Sequence, residues 1–142
     1  MREEDLPIFF EHQKDPEANR MASFDARDEA SFMAHWAKIL RDGNVVRTIE
    51  VEGRVVGNIG SWEHDGERDV GYWIGREEWG KGVATAALSA FLGELNDRPI
   101  HAHVATHNIG SIRVLEKCGF QRTGPPSKAS DGVEELLLKL DR

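Results

Sequence analysis

The stretch Gly71-Tyr72-Trp73-Ile74-Gly75-Arg76-Glu77-Glu78-Trp79-Gly80-Lys81-Gly82-Val83-Ala84-Thr85 joins the end of a predicted strand to the start of a long helical pattern. Glycine adopts backbone angles that other residues avoid, so Gly80 and Gly82 permit a tight turn at this junction. Free N–H groups and the positive end of a helix dipole meet at such a turn. The stretch therefore predicts an anion site between a strand and a helix.

Two other interpretations of the glycines compete with the anion site. A tight strand-to-helix turn requires glycine without any ligand, and the spacing alone leaves this choice open. The pattern Gly75-x-x-x-x-Gly80-Lys81-Gly82 also matches a nucleotide-binding P-loop except at its last position. Because Gly82 has no hydroxyl for Mg²⁺ and Glu77-Glu78 would face three phosphates, the P-loop is disfavoured.

Composition and length exclude several classes of protein. We expect residues 1–142 to form a single domain. The formal net charge of −7 argues against general nucleic-acid binding, and no apolar run approaches the roughly 20 residues of a membrane span. Cys118 is the single cysteine, which excludes an intramolecular disulfide, and the N-terminus lacks a signal-peptide pattern. We therefore predict a cytoplasmic protein without nucleic-acid or membrane partners.

The flanking sequence predicts helices before and after an antiparallel meander. Asp5 to Phe10 predicts a first helix that stops before Asp15-Pro16, and Asp28 to Leu40 predicts a second that ends at Asp42-Gly43. The predicted later elements, in order, are strands Val45–Val51, Val55–Glu63 and Val70–Ile74 with turns at Glu52-Gly53 and Asp65-Gly66, helix Gly80–Asn96, strand Ile100–Thr106, helix Gly110–Lys117 and strand Val133–Leu140.

Two motifs carry a resemblance to a known family. Trp79-Gly80-Lys81-Gly82-Val83-Ala84 resembles the acyl-CoA pyrophosphate motif of the GNAT superfamily of N-acetyltransferases, Q/R-x-x-G-x-G/A, with Trp79 in place of Gln or Arg. The segment from Asn108 to Phe120 resembles the N-x-x-S-x-R-V-L-E-K-x-G-F signature of the branch that contains the ribosomal-protein N-terminal acetyltransferases. Both motifs stand in the family's order and at its usual separation.

The resemblance implies an α/β (α+β) GNAT acyltransferase fold. Its central sheet is mixed and mostly antiparallel, is splayed between the family's fourth and fifth strands, and is flanked by helices. The family normally begins with a strand ahead of the segment that matches Arg2 to Pro7, so this first strand is expected to be missing here. Either translation starts further upstream, or a partner chain covers the open sheet edge, as in a homodimer.

The resemblance also implies acetyl-CoA as the cosubstrate. Backbone groups of Tyr72, Trp73 and Ile74 are then expected to pair with pantetheine, and Asn108 to contact the same arm. Asn108 alone is equally well explained as a helix N-cap. The residues expected to hold the pyrophosphate are Gly80, Lys81, Gly82, Val83, Ala84 and Thr85.

The implied reaction is direct attack of a primary amine, on a small molecule or a protein N-terminus, on the acetyl thioester. A backbone N–H near Ile74 is expected to stabilise the oxyanion. Ser111 is expected nearest the departing thiolate, although it equally well caps its own helix. The base is weakly marked: the candidates are Glu67 and Asp69, followed by Glu63 and His64.

A weakly marked base favours an acceptor of low pKa. At pH 7, deprotonating an α-amine costs about 1.4 kcal/mol, whereas a lysine costs about 4.6 kcal/mol. An N-terminal or other low-pKa amine therefore fits better than a lysine. An alternative from another class is a catalytically silent acyl-CoA-binding module.

Histidines and tryptophans supply the remaining site candidates. His101 and His103 share a strand face and His107 follows, but no carboxylate or thiol stands beside them in sequence, so no metal site is predicted. Trp62 and Trp73 are candidates for an acceptor pocket, although strand tryptophans commonly belong to the core.

Overall fold

A computed structural model describes residues 1–22, 26–42, 44–64, 66–128 and 134–141, without the side chain of His64. Four predicted features lie outside the described residues. They are the helix end at Gly43, the turn residue Asp65, the strand start at Val133 and the His64 side chain as a base.

The described residues form five α-helices: α1 (Leu6–His12), α2 (Pro16–Ala22), α3 (Glu29–Arg41), α4 (Val83–Glu94) and α5 (Ile109–Lys117). Two short 3₁₀ turns, Glu3–Asp5 and Arg76–Glu78, precede α1 and α4. The predictions of α1, α3 and α5 are confirmed to within a few residues. Asp28 caps α3, since its carboxylate accepts a 2.8 Å hydrogen bond from the Ser31 N–H.

The structure differs from the predicted helices at two places. Helix α2 was not predicted, although Asp15-Pro16 is a typical helix start, and the Asp15 carboxylate accepts a 3.1 Å hydrogen bond from the Glu17 N–H. Helix α4 begins at Val83 rather than at Gly80. Gly80 and Gly82 have φ angles of 78° and 81°, which no α-helix contains, so the turn that they form precedes the helix.

Seven strands of the described residues form one mixed sheet in the order β1-β2-β3-β4-β7-β5, with β6 paired to β7. The meander β1-β2-β3 is antiparallel, as predicted. The two-residue strands β5 and β6 were not predicted. The strands are β1 (Val45–Val51), β2 (Arg54–His64), β3 (Glu67–Ile74), β4 (Ile100–Ala105), β5 (Gln121–Arg122), β6 (Ser127–Lys128) and β7 (Glu134–Leu140).

Helices cover both faces of this sheet. The larger core lies between the sheet and α4 and α5, and its members Leu88, Ile100 and Leu138 are fully buried. A smaller cluster of three aromatic residues and one valine, Phe9, Phe32, Trp36 and Val46, joins α1 and α3 to β1. Successive strand residues point to opposite faces, so the two clusters lie on opposite sides of the sheet.

Strand β1 forms one edge of the sheet, and among the described residues no strand pairs with its outer side. Nor is any described helix both long enough and apolar enough to cross a membrane.

The close approach of β2 to β3 gives a stability test. A Cβ atom on Gly57 would lie 2.3 Å from the carbonyl oxygen of Trp73. We expect Gly57→Ala to lower the free energy of unfolding by about 1–3 kcal/mol, because the β3 backbone must move away. Gly93→Ala is the matched control: nothing lies within 4 Å of its Cβ position in α4, and alanine gains about 0.5–1 kcal/mol there. Equal urea midpoints for the two variants would contradict this packing.

Candidate active site

The sheet opens between its two central strands. β3 and β4 run parallel and pair through Arg68–Ile100 and Asp69–His101 alone. Beyond these pairs β3 continues along β2, whereas β4 continues along β7. The splay predicted between the family's fourth and fifth strands is therefore confirmed, and these strands are β3 and β4 here. Residues 72–74 line the β3 side of the opening.

The glycine turn delivers the start of α4 to this opening. The first N–H groups of a helix have no acceptor within the helix, so the N–H groups of Val83, Ala84 and Thr85 remain available. The next N–H group, that of Ala86, donates a 3.1 Å hydrogen bond to the Gly82 carbonyl oxygen. Because the N-cap residue is Gly82, it has no side chain to cap these groups. The helix start thus offers several donors and a positive dipole end to an anion.

Trp79 closes the turn against β3. Its indole N–H donates a 3.0 Å hydrogen bond to the Ile74 carbonyl oxygen, which has no partner on β4 because the strands have parted. Trp79 stands where the family motif usually has Gln or Arg, and the side chain lines the cleft. A strand carbonyl released by the splay is thereby satisfied from the turn.

Helix α5 forms the opposite wall, and its first turn is tied to β3. The Asn108 carboxamide oxygen accepts a 3.3 Å hydrogen bond from the Ser111 N–H, as expected of an N-cap. The Ser111 hydroxyl lies 2.8 Å from the Tyr72 hydroxyl. Burial raises the pKa of Tyr72, while the hydrogen bond to Ser111 opposes that rise. The phenol therefore stays protonated at neutral pH and is able to donate a hydrogen bond to Ser111.

These walls enclose a cleft of about 400 Å³. The predicted site residues that line it are Tyr72, Trp73, Ile74, Gly80, Gly82, Val83, Ala84, Thr85, Asn108 and Ser111. Lys81 does not line it: its ammonium lies 3.7 Å from the buried Glu78 carboxylate, which also pairs with Arg54 at 3.4 Å. The cleft therefore gathers ten of the predicted residues, and Lys81 contacts the turn from outside.

Two cationic residues of the cleft were missed at the sequence level. Arg113 and Lys117 lie one turn apart on α5, and both line the cleft. No carboxylate of the described residues forms an ion pair with either of them. Their i,i+4 spacing places them on one face of the predicted helix, although the spacing does not show that this face borders the cleft. They give this wall a positive charge in a protein whose net charge is −7.

A second cavity of about 680 Å³ lies on the other face of the sheet, under α1 and α3. Tyr72 and Trp73 line both this cavity and the cleft. Trp62 also lines the second cavity. Both tryptophans named as candidates for an acceptor pocket therefore lie at a cavity wall. The Trp73 indole N–H donates a 3.3 Å hydrogen bond to the His12 carbonyl at the end of α1. The two spaces thus meet across a single segment of β3.

Glu67 and Asp69 lie at the closed end of the opening, and neither lines a cavity. The Glu67 carboxylate lies 3.7 Å from His101 Nδ1. That of Asp69 lies 3.8 Å from His103 Nε2. Glu63, the other described candidate base, lines the second cavity. The carboxylates predicted as alternative general bases therefore lie in two different places, the closed end of the opening and the wall of the second cavity.

The remaining histidine, His107, lies elsewhere, with Nε2 2.7 Å from the Arg20 carbonyl oxygen. Within the described ranges, no group of three or more His, Cys, Asp or Glu residues is arranged to hold a metal ion.

Comparison with known proteins assigns this architecture to a family. The model of the GNAT acetyltransferase domain matches residues 1–121. An uncharacterised N-acetyltransferase, p20, of Bacillus licheniformis is 26% identical over 138 residues, which cover 87% of this chain and 78% of that protein.

Solved structures share the fold at lower identity. The aminoglycoside acetyltransferase AAC(6')-Ib in complex with coenzyme A superposes with a TM-score of 0.84 at 21% identity, covering 100% of this chain and 92% of the other. A ribosomal-protein-alanine N-acetyltransferase from Brucella melitensis gives 0.80 at 19% identity, covering 100% and 97%. Since the family model spans most of the sequence and includes both motifs completely, the chain belongs to the GNAT family and is an N-acetyltransferase that uses acetyl-CoA.

Proposed function

We propose that the protein transfers the acetyl group of acetyl-CoA, held in the cleft, directly to a primary amine held in the second cavity. The observation that carries this proposal is the shared wall: Tyr72 and Trp73 line both spaces. Among the described lining residues, these two alone are common to both spaces, so an acyl donor and an amine that enter from opposite faces of the sheet meet there. The acceptor amine belongs to a small molecule or to a protein N-terminus, the latter in keeping with the signature from Asn108 to Phe120.

The cleft suits the chemistry of coenzyme A. Its pyrophosphate is assigned to the uncovered N–H groups between Gly82 and Thr85, where charged acceptors gain roughly 1.5–3 kcal/mol per hydrogen bond. Arg113 and Lys117 add positive charge on the facing helix. Pantetheine is assigned to the parted edge of β3 at residues 72–74, whose backbone groups lack a β4 partner. The bound thioester supplies the activated acetyl group.

Ser111 is the proposed proton donor to the departing thiolate. Its hydroxyl lies in the cleft, 2.8 Å from that of Tyr72. Because the raised pKa of Tyr72 keeps the phenol protonated at neutral pH, Tyr72 donates a hydrogen bond to the Ser111 oxygen and stabilises it while Ser111 gives its proton to the thiolate. Water in the open cleft returns a proton to Ser111 after the thiol has left.

Asp69 is the better placed of the two predicted bases. Its side chain is only 6% exposed, and it precedes Gly71 by two residues, which puts both on the strand face toward the second cavity. The Glu67 side chain is 54% exposed and lies farther along the strand. Because Asp69 itself does not line the cavity, it is proposed to accept the amine proton through one bridging water, with Glu63 at the cavity wall as the direct alternative.

Release of free thiol tests the proposed function. Incubation with acetyl-CoA and a panel of primary amines is expected to liberate coenzyme A, followed with a thiol reagent against a blank without amine. A silent acyl-CoA-binding module would be stabilised against heat by coenzyme A yet release no thiol with any amine.

The Ser111 assignment predicts a selective loss of turnover. Ser111→Ala is expected to lower kcat about 100-fold, the lower end of general acid catalysis, with little change in the KM for acetyl-CoA. Tyr72→Phe is expected to lower kcat less, because Ser111 keeps its own proton. Thr123→Val removes a hydroxyl remote from both cavities and serves as the control. A Ser111→Ala enzyme with full kcat would refute the assignment.

The anion site predicts that charge at the helix start blocks the cofactor. Gly82→Glu is expected to weaken coenzyme A binding at least about 100-fold by calorimetry, because a carboxylate then faces the pyrophosphate donors. Gly93→Glu places the same side chain near the other end of α4, where space is open, and is expected to bind normally. Equal affinities in the two variants would mean that the pyrophosphate binds elsewhere.

A further inference from the structure

The second cavity is walled by aromatic side chains from both of its sides. Phe32 and Trp36 of α3 are 4% and 8% exposed and form its helical wall. Trp62 and Trp73 of the sheet form its floor. Rings on opposing walls favour a flat apolar guest, because stacked or edge-on ring pairs gain about 0.5–1.5 kcal/mol beyond simple burial.

Trp62 is built into this floor rather than left loose on the surface. A Cβ atom on Gly71 would lie 2.8 Å from Trp62 Cη2, so the indole extends over the glycine on the neighbouring strand. The facing residue on β2 is Gly60, which also carries no side chain. The ring nevertheless remains 39% exposed. An exposed aromatic surface held over a glycine strip is a platform for a ligand.

The charges around the cavity do not suit a polycation. Its described lining carries two permanent cations, Arg27 and Lys38, against two carboxylates, Asp42 and Glu63. His35 lies beside these cations: its pKa is lowered by burial first, and then by Arg27 and Lys38. The whole chain, by contrast, has 25 acidic and 18 basic residues. Acidic residues therefore outnumber basic ones in the whole chain but not in the described cavity lining. An acceptor with several ammonium groups would be attracted by a negatively charged lining, which this cavity does not have among its described residues.

The cavity has the size of a small-molecule site. Its volume of about 680 Å³ falls within the roughly 300–1,000 Å³ that is usual for drug-sized ligands.

We propose that the acceptor is a small molecule with one primary amine on a flat aromatic body, bound against Trp62, rather than a polyamine, an aminosugar or a protein N-terminus. This inference rests on the proposed function and narrows its acceptor. The amine then points along the floor to Trp73, where the cavity and the cleft share a wall.

The test compares kcat/KM, from thiol release, for tryptamine and phenylethylamine with that for spermidine, kanamycin and a short unblocked peptide. We expect the two arylalkylamines to exceed the other three acceptors at least about tenfold, in line with ring stacking and burial. Faster release with spermidine, kanamycin or the peptide would overturn this inference alone. No release with any amine would overturn the proposed function and this inference with it.

Variants of Trp62 test whether this side chain determines the preference for aromatic amines. Trp62→Ala is expected to lower kcat/KM for tryptamine about tenfold while changing that for butylamine less than about threefold. Trp62→Phe is expected to keep most of the preference. Leu40→Ala removes another exposed apolar side chain, 41% exposed and outside the cavity lining, and is the control. Equal losses for both amines in a folded Trp62→Ala enzyme, as judged by its thermal unfolding, would overturn the platform.

Discussion

The parting of β3 from β4 after two residue pairs is the constraint on which the rest of the site depends. Backbone groups that leave a sheet must find other partners. Here the Ile74 carbonyl oxygen accepts a hydrogen bond from the Trp79 indole N–H. The neighbouring residues of β3 line an open cleft. The glycine turn, the uncovered start of α4 and the hydroxyl pair of Tyr72 and Ser111 all line the cleft because the sheet opens there.

Local patterns were sufficient to predict most elements, because each has a local cause. The meander followed from alternation and from Glu52-Gly53, whose positive φ angles of 52° and 79° suit a two-residue hairpin. The errors also have local causes. Helix α2 is short and has a weak apolar stripe, and the two-residue strands β5 and β6 exist only because β7 pairs with them. Such pairing depends on distant residues, so no window of sequence contains it.

The shape of the cleft was predictable where it depends on the backbone of one segment. The turn from Gly80 to Thr85 needs only its own glycines and a helix start. The link between Tyr72 and Ser111 joins residues 39 positions apart, and the common wall of the two cavities depends on how α1 and α3 pack. Neither is encoded in a contiguous motif. The motif contains Arg113 and Lys117, but it does not show that these residues line the cleft.

Because Tyr72 and Trp73 line both cavities, the two proposed substrate sites are not independent parts of the molecule. Trp73 also holds the end of α1 through the His12 carbonyl, so the helical wall of one cavity is fastened to the strand that borders the other. A ligand that ordered this strand from one cavity would change the affinity of the other cavity for its own ligand, and thermodynamic linkage would make that change reciprocal. The shared segment of β3 is thus where coupling between the two proposed sites is expected.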